Sequence, residues 1–361
     1  MNGLIKCNNA VKVLHMADLH IGRKFKSLPP RKAAIREAEI LITLEDTLQR
    51  FGDADIVLLS GDIFEEDAPQ SSIDFVCNLF SQHENKKFFL SCGNHDCRES
   101  AAIKYFVSKK GINTHVFSEV MEQIILEDIG VVIFGISFAA PGAYASLING
   151  FQCSKSELPC IMVIHGDVGC ESAYNPISVS DIRQTGMDYL ALGHIHGFSG
   201  ILNIGDTYYA YPGVMEPGGF DEQGDCGVIY GTVGKNKVNL DFVPVSKRQY
   251  HNFNVDVSRF KSNEELISSL RKMIERDNLY KINLTGAADF PVDITMYKDV
   301  LEAFYMEIYD STISTRSILS FTGENSFRGK TALSILELKN SCSEDVFGEA
   351  CDILTNLMCK D

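Results

Sequence analysis

The chain has 361 residues, of which 45% are hydrophobic and 22% are charged. These values are typical of a globular protein of about two domains, and they exclude a disordered chain and a single small module. The formal net charge of −15 does not by itself suggest a polyanionic partner, since nonspecific nucleic-acid binders usually carry a basic face.

Neither a membrane nor export is indicated by the sequence. The longest apolar runs are about half of the roughly 20 residues that a membrane-spanning helix needs. The first ten residues, MNGLIKCNNA, contain no apolar core of an export signal. Eleven cysteines without a C-x-x-C pair favour reduced thiols over a disulfide framework. We therefore expect a cytoplasmic protein that does not contact a membrane.

Up to about residue 246, short β-branched or aromatic runs alternate with helical patterns, which is typical of βαβ units in an α/β fold. The predicted strands cover residues 11–16, 55–60, 87–91, 130–137, 161–164 and 188–192. Amphipathic helices are predicted over residues 30–50 and 71–82. Later alternating runs at residues 206–211, 227–233 and 237–243 predict antiparallel strands that complete the sheet.

A second, smaller α+β region follows a polar stretch at residues 246–250. It is predicted to contain strands at 253–257, 280–284 and 305–310 and helices at 263–276 and about 296–301. Two helical patterns, at residues 331–339 and 343–358, end the chain. We therefore predict an α/β domain over residues 1–246, a small α+β domain over 247–322 and a helical segment over 323–361.

Five segments share one pattern, an apolar strand followed by a sharp turn that contains Asp, His or Asn. They read VKVLHMADLHIG, DIVLLSGDIF, KFFLSCGNHD, CIMVIHGD and DYLALGHIHG. Because ligands bind beyond the carboxyl ends of parallel strands, we expect all five loops to converge on one edge of a sheet. The loops bring together nine polar side chains: Asp18, His20, Asp62, Asn94, His95, Asp96, His165, His194 and His196.

Imidazole nitrogens mixed with carboxylate and amide oxygens suit first-row ions such as Mn²⁺, Fe²⁺ or Zn²⁺. The set is larger than one ion needs. Two divalent ions that share one carboxylate would use it fully, and such pairs are typical of phosphoester hydrolases.

The ordered pattern D-x-H, GD, GNH[D/E], H and GH-x-H resembles that of the calcineurin-like metallophosphoesterases, and all five motifs are present. Within that family, LHMADLHIG, GDIF, GNHD, DYLALGHIH and the glycine-rich YPGVMEPGGFDEQGDCG are most similar to the SbcD/YhaO-like DNA-repair exonucleases. The resemblance implies a four-layer α/β sandwich of two sheets flanked by helices. It also implies that the small C-terminal α+β domain caps the active site and helps to bind DNA.

Carried over residue by residue, the resemblance implies two divalent metal ions, with Mn²⁺ favoured and Fe²⁺ or Zn²⁺ as alternatives. A water that bridges the metals would be the nucleophile. Asp62 would bridge both ions. The first ion would be held by Asp18, His20 and His196, and the second by Asn94, His165 and His194.

Two further residues receive catalytic roles from the resemblance. His95 would stabilise the transition state or protonate the leaving oxygen, and Asp96 would fix its tautomer. Some relatives have a histidine where this chain has Glu65, so an additional histidine contact to the substrate is not expected here. The loop at residues 217–219 contains no basic residue, and substrate contacts there are expected from backbone amides.

A basic stretch follows the first motif, and its residues Arg23, Lys24 and Lys26 are predicted to contact the nucleic-acid backbone. The resemblance implies DNA phosphodiester hydrolysis, as an exonuclease or endonuclease in DNA repair. It also implies DNA as a partner and an SbcC-type ABC ATPase that binds the C-terminal region. Whether the chain forms a homodimer stays open.

Other functions remain as alternatives. One is a small-molecule phosphodiesterase, acting for example on a cyclic nucleotide or a nucleotide-sugar lipid precursor. Another is a catalytically silent scaffold, which is disfavoured because no ligand of the pattern is missing. A protein Ser/Thr phosphatase is disfavoured because the arginine expected after its GD motif is absent from residues 61–67.

Overall fold

A computed structural model describes residues 10–288, 290–314, 321–339, 341–343, 346–347, 349–351 and 353. The chain divides into two compact units, Met1–Lys247 and Arg248–Asp361. This division lies one residue from the expected boundary between residues 246 and 247. The segment 323–361, which was predicted as a separate helical part, lies in the second unit, and most of its second helix, over 343–358, lies outside the described residues.

The first unit contains two large sheets and the helices that flank them. Its helices are α1 (Pro30–Arg50), α2 (Gln70–Gln82), α3 (Ala101–Lys109) and α4 (Val179–Thr185). Its strands are β1 (Ala10–Met16), β2 (Ile56–Ser60), β3 (Lys87–Ser91), β4 (Thr114–Val116), β5 (Glu122–Leu126), β6 (Val131–Gly135), β7 (Cys160–His165), β8 (Asp167–Val168), β9 (Pro176–Ile177), β10 (Tyr189–Gly193), β11 (Leu202–Ile204), β12 (Thr207–Ala210), β13 (Gly227–Gly234) and β14 (Lys237–Pro244).

The first sheet has the order β14-β13-β1-β2-β3-β4, and the second has the order β11-β12-β10-β7-β6-β5. Strands β1 to β4 are parallel, and β13 and β14 are antiparallel. In the second sheet, β6, β7, β10 and β12 are parallel. The expectation that residues 206–211 complete the first sheet was wrong. Strand β12 lies in the second sheet, parallel to β10 and antiparallel to β11, because an apolar pattern does not specify the partner of a strand.

The two sheets pack face to face over a shared apolar core. Alternate residues of β1, Val11 and Val13, enter this core together with Ile161 and Val163 of β7. On the outer side of the first sheet, Phe80 of α2 stacks on Phe88 of β3, with ring centroids 4.1 Å apart. The predicted four-layer α/β sandwich, with two sheets flanked by helices, is confirmed.

A buried histidine connects the sheets below the site. His15 of β1 is fully buried between Tyr189 of the second sheet, 2.8 Å from its Nδ1, and Ser60 of β2, 2.9 Å from its Nε2. The Ser60 hydroxyl donates to the carbonyl of Ala191 at 3.0 Å. Ser60 therefore accepts a hydrogen bond from His15 Nε2, and Tyr189 donates to Nδ1. Burial lowers the pKa of His15 to about 3, so this imidazole is neutral and structural.

The second unit contains a small sheet of three parallel strands in the order β15-β16-β18. Its helices are α5 (Asn263–Leu270), α6 (Ile294–Val300) and α7 (Phe327–Leu338), and a short 3-10 helix covers Val257–Arg259. Its strands are β15 (Tyr250–Asp256), β16 (Leu279–Thr285), β17 (Ala287–Ala288), β18 (Tyr305–Asp310) and β19 (Ile313–Ser314). Leu266, Leu270, Ile282 and Tyr297 form part of its own core. No helix in the described part of the chain is both long and apolar enough to cross a membrane.

Candidate metal centre

The five predicted loops converge on one site, but they come from two sheets. Three of the loops follow β1, β2 and β3 of the first sheet, and two follow β7 and β10 of the second. We expected a single sheet edge. The difference arises because an apolar run identifies a strand without identifying the sheet to which it belongs.

Backbone contacts hold these loops together. Asp18 N donates to Gly61 O at 3.0 Å, which continues the pairing of β1 and β2 into their loops. Between the sheets, His194 N donates to the carboxylate of Asp18 at 3.1 Å. A Cβ atom at Gly193 would overlap the carbonyl of Ser60. The close approach of the two sheets therefore requires glycine at this position.

The backbone is strained at the predicted ligands. Asp18, His20, Asp62 and His194 have φ values of 52°, 47°, 52° and 110°. Only six non-glycine residues in the described part of the chain have positive φ, so most of them are in this set. Such conformations cost about 1–3 kcal/mol each and concentrate at functional sites, where the surrounding structure enforces them.

The first cluster consists of Asp18, His20 and His196, whose donor atoms lie within 4.8 Å of one another. Each imidazole is held by a carboxylate: His20 Nδ1 donates to Glu65 at 2.9 Å, and His196 Nδ1 donates to Glu222 at 2.7 Å. A carboxylate only accepts, so both histidines carry the proton on Nδ1. In the neutral rings Nε2 then carries the lone pair, and the two Nε2 atoms face each other at 3.2 Å.

The second cluster consists of Asp62, His165 and His194, again with donor atoms within 4.8 Å of one another. His165 Nδ1 donates to the backbone carbonyl of Ser60 at 2.9 Å. This contact leaves a lone pair on His165 Nε2, which lies 3.0 Å from Asn94 Oδ1 and 3.5 Å from Asp62 Oδ2. All of these atoms are acceptors.

The donor chemistry of both clusters fits metal ions. Lone pairs that face each other repel, and a cation that both atoms can bind removes the repulsion. The buried carboxylate of Asp18 has the same requirement, since burial and the neighbouring charge of Asp62 raise its pKa well above its usual value. Two divalent ions would compensate both carboxylates. The residues that would hold them are Asp18, His20, Asp62, Asn94, His165, His194 and His196, a donor set suited to Mn²⁺, Fe²⁺ or Zn²⁺.

His95 and Asp96 follow Asn94 directly, and the structure gives them different surroundings. The side chain of His95 is 45% exposed, and its Nδ1 lies 3.0 Å from Glu65 Oε2. Asp96 is buried. Its two oxygens accept hydrogen bonds from the backbone N–H groups of Asp62, Ile63, Phe64 and Gly93. The contact to His95 that was expected of Asp96 is made by Glu65 instead, because the carboxylate of Asp96 accepts from the backbone of the two loops.

Comparison with known proteins agrees with this geometry. Residues 11–198 match the family model of the calcineurin-like phosphoesterases. The chain belongs to the calcineurin-like phosphoesterase family. It is similar to the uncharacterized metallophosphoesterase YhaO of Bacillus subtilis strain 168, with 26% identity over 76% of this chain and 69% of the relative. The match to the crystal structure of TT1561 of Thermus thermophilus covers 63% of this chain and 99% of that chain, with 9% identity and a TM-score of 0.37.

In this calcineurin-like phosphoesterase, two carboxylates near the clusters were missed by the motif pattern. Glu222 accepts from His196, from Gly218 N and from Arg23. Although burial opposes ionisation, these contacts lower the pKa of Glu222 to about 2. Asp167 Oδ2 lies 3.4 Å from His194 Nε2. Both lie within the quoted segments, Asp167 in CIMVIHGD and Glu222 in the glycine-rich YPGVMEPGGFDEQGDCG, and this position was the available signal.

The basic stretch of the phosphoesterase is largely paired. Arg23 forms an ion pair with Glu222 at 3.2 Å, and Lys24 forms one with Glu37 at 3.0 Å. The side chain of Lys26 is exposed. A Cβ atom at Gly218 would overlap the guanidinium group of Arg23. A basic side chain therefore does lie at the glycine-rich loop, although the sequence segment itself has none.

An open cleft of about 950 Å³ lies beside the metal centre of the phosphoesterase. Asn94 and His95 line it on the side of the ligands, and Tyr174 lines it near His194, with ring centroids 4.9 Å apart. Its other lining residues include four carboxylates: Glu65, Glu66, Asp67 and Glu99. The cleft can admit a substrate to the centre, and its wall is acidic.

Proposed function

We propose that this protein is a metal-dependent phosphodiesterase that hydrolyses DNA. The observation that carries the proposal is the position of His95. Its ring packs edge to face on the ring of His20, with centroids 4.8 Å apart, and its side chain is 45% exposed in the cleft. One side chain thus borders both a cluster of candidate ligands and the space for a substrate.

The chemistry assigned to this chain's own residues is protonation and positioning. Divalent ions bound at the two clusters would polarise the phosphoryl oxygen and lower the pKa of a water molecule. His95 would transfer a proton to the leaving oxygen, because it is the exposed imidazole that is not needed as a ligand. Glu65 and Glu222 would hold the imidazoles of His20 and His196 in the binding tautomer.

Two features support DNA as the substrate. The cleft is open, so it can receive the end of a polymer. Lys24 and Lys26 are exposed on the loop that follows His20, where they can contact phosphates. The motif similarity to the SbcD/YhaO-like exonucleases points to the same substrate. An SbcC-type ATPase partner and a capping role of the second unit stay predictions that rest on this similarity.

One observation favours a second candidate, a small-molecule phosphodiesterase. Glu66, Asp67 and Glu99 on the cleft wall would repel the successive phosphates of a polyanion. A substrate with a single phosphodiester bond would experience less repulsion. The acidic wall of the cleft therefore favours a small phosphodiester over DNA as the substrate.

The experiment incubates the purified protein and Mn²⁺ with labelled single-stranded DNA, labelled double-stranded DNA and bis(nitrophenyl) phosphate in parallel. Our proposal predicts hydrolysis of the generic diester and of at least one DNA. Hydrolysis of the generic diester alone would favour the small-molecule candidate. Hydrolysis of none of the three would contradict both candidates. An Asp62→Asn variant purified in the same way controls for a contaminating nuclease.

A further inference from the structure

Glu65 lies at a fixed point between the loops that follow β1 and β2. Its backbone N–H donates to Ile21 O at 2.9 Å, and its carbonyl accepts from Ala68 N at 3.1 Å. Its side chain is 19% exposed. The backbone therefore holds the carboxylate close to His20 on one side and close to His95 on the other.

The two oxygens of this carboxylate are used separately. Oε1 lies 2.9 Å from His20 Nδ1, and Oε2 lies 3.0 Å from His95 Nδ1. The two rings are almost perpendicular, with an interplanar angle of 89°. Both distances are those of ordinary hydrogen bonds, and they leave no space for a cation between the carboxylate and either ring. This holds although the three side chains have potential metal-ligand atoms within 4.8 Å of one another.

An ionised carboxylate accepts and does not donate, so both imidazoles must carry a proton on Nδ1. The consequence differs between the rings. His20 keeps a lone pair on Nε2, which is the atom that faces the first cluster. For His95, Nε2 is the ring atom left to exchange a proton with a substrate.

We propose that Glu65 is a positioning residue shared by the metal centre and the proton donor, and that its one carboxylate fixes the tautomer and orientation of both His20 and His95. The part that concerns His95 rests on the function proposed above. The part that concerns His20 requires only that the first cluster binds a metal ion.

Glu65→Gln tests the proposal sharply because it preserves shape and removes one acceptor. A glutamine offers one acceptor oxygen and one donor nitrogen, so it cannot accept from both Nδ1–H groups. One of the two imidazoles must then change its tautomer. Glu66→Gln is the matched control, because it removes the same charge from the same cleft and Glu66 is exposed.

The first readout is long-range ¹H–¹⁵N NMR of the protein with labelled histidine, after a chelator has removed any bound metal. It reports which nitrogen of each ring is protonated. We expect the Nδ1-protonated form for His20 and His95 in the parent protein and in Glu66→Gln. In Glu65→Gln, one of the two rings should change its tautomer. Unchanged tautomers in Glu65→Gln would overturn the proposal.

The second readout is titration with Mn²⁺, and the third is the separate measurement of kcat and KM on bis(nitrophenyl) phosphate. Removing a carboxylate that orients a ligand histidine weakens metal affinity by about 10- to 100-fold, and we expect this loss, or a comparable fall in kcat at unchanged KM, for Glu65→Gln. Glu66→Gln should bind Mn²⁺ as the parent does. A third bound ion that Glu65→Gln loses selectively would show that Glu65 is a ligand and would contradict the proposal.

The outcomes separate this proposal from the proposed function. If the parent protein hydrolyses no diester, the proposed function fails, while the NMR and Mn²⁺ titrations still decide the role of Glu65 toward His20. If Glu65→Gln does not fold, Glu65→Asp replaces it. Its shorter carboxylate reaches only one ring, so the other should lose the Nδ1-protonated form, and retention of both forms would overturn the proposal.

Discussion

His20 and His196 face each other through two Nε2 atoms 3.2 Å apart, although one follows a strand of the first sheet and the other a strand of the second. In each ring, Nδ1 donates a hydrogen bond to a carboxylate, which fixes the orientation of the ring. In the neutral rings, two lone pairs at this distance have no favourable contact with each other. The pair therefore indicates a cation site, and it places that site where the two sheets meet.

Asp62→Asn should abolish both metal binding and hydrolysis. The substitution removes a charge that we assign to both ions, and Asn cannot replace a shared carboxylate. Metal content by elemental analysis and turnover of bis(nitrophenyl) phosphate should fall together. Asp53→Asn is the control, since Asp53 is exposed and pairs with Lys12. Full metal content in Asp62→Asn would show that Asp62 is not a shared ligand.

His95→Asn should lower kcat by roughly 10²- to 10⁴-fold, the usual contribution of general acid catalysis. Metal content should remain that of the parent, because His95 belongs to neither of the two clusters assigned to the ions. His83→Asn, at a half-buried histidine outside the motifs, controls for a nonspecific effect. Loss of metal in His95→Asn, or full turnover, would contradict the role assigned to His95.

Lys24→Ala combined with Lys26→Ala should weaken DNA binding and lower the slope of log affinity against log salt by roughly one to two units, since each phosphate contact contributes about one. Metal content should not change. Arg23 is left intact because it contacts Glu222, the partner of His196. Lys155→Ala, at an exposed lysine before β7, is the control. An unchanged salt slope would remove these lysines from the DNA contacts.

His15 should make stability depend on pH. Burial holds its pKa at about 3 in the folded protein, against about 6.5 in an unfolded chain. The unfolded state therefore binds an additional proton below about pH 6.5, and stability is lost as the pH falls from there towards 3. Between about pH 7.5 and about pH 5, His15 should lower the free energy of unfolding by about 2 kcal/mol.

Urea unfolding of the metal-free protein at these two pH values checks this expectation. The free energy of unfolding of the parent protein should fall by about 2 kcal/mol more than that of a His15→Gln variant, because the glutamine side chain does not bind a proton. Equal losses in the two proteins would show that His15 titrates alike in the folded and unfolded states.

The local pattern of apolar and polar residues was sufficient to predict the limits of several helices and strands. The helix predicted over residues 30–50 and the strands predicted over 87–91 and 305–310 have the same limits in the structure. Pro30 sets the start of the helix, since a proline is well accommodated in the first turn. The helix predicted over 263–276 is shorter, and α5 ends at Leu270, where a turn replaces the last part of the pattern.

The features that the sequence did not predict depend on contacts between distant residues. Glu222 lies 26 positions from His196, and Glu65 lies 45 positions from His20 and 30 from His95. Neither carboxylate is part of a ligand motif. The assignment of five loops to two sheets has the same origin, because strand pairing is decided by packing across the whole unit.

Anomalous scattering from a crystal grown with Mn²⁺ would show directly whether two metal ions bind between the two sheets. We expect two manganese peaks. One should contact His20 and His196, the other His165 and Asn94, and both should contact the carboxylate of Asp62. A map with a single peak, or with manganese bound away from these side chains, would show that the two clusters do not hold a pair of metal ions.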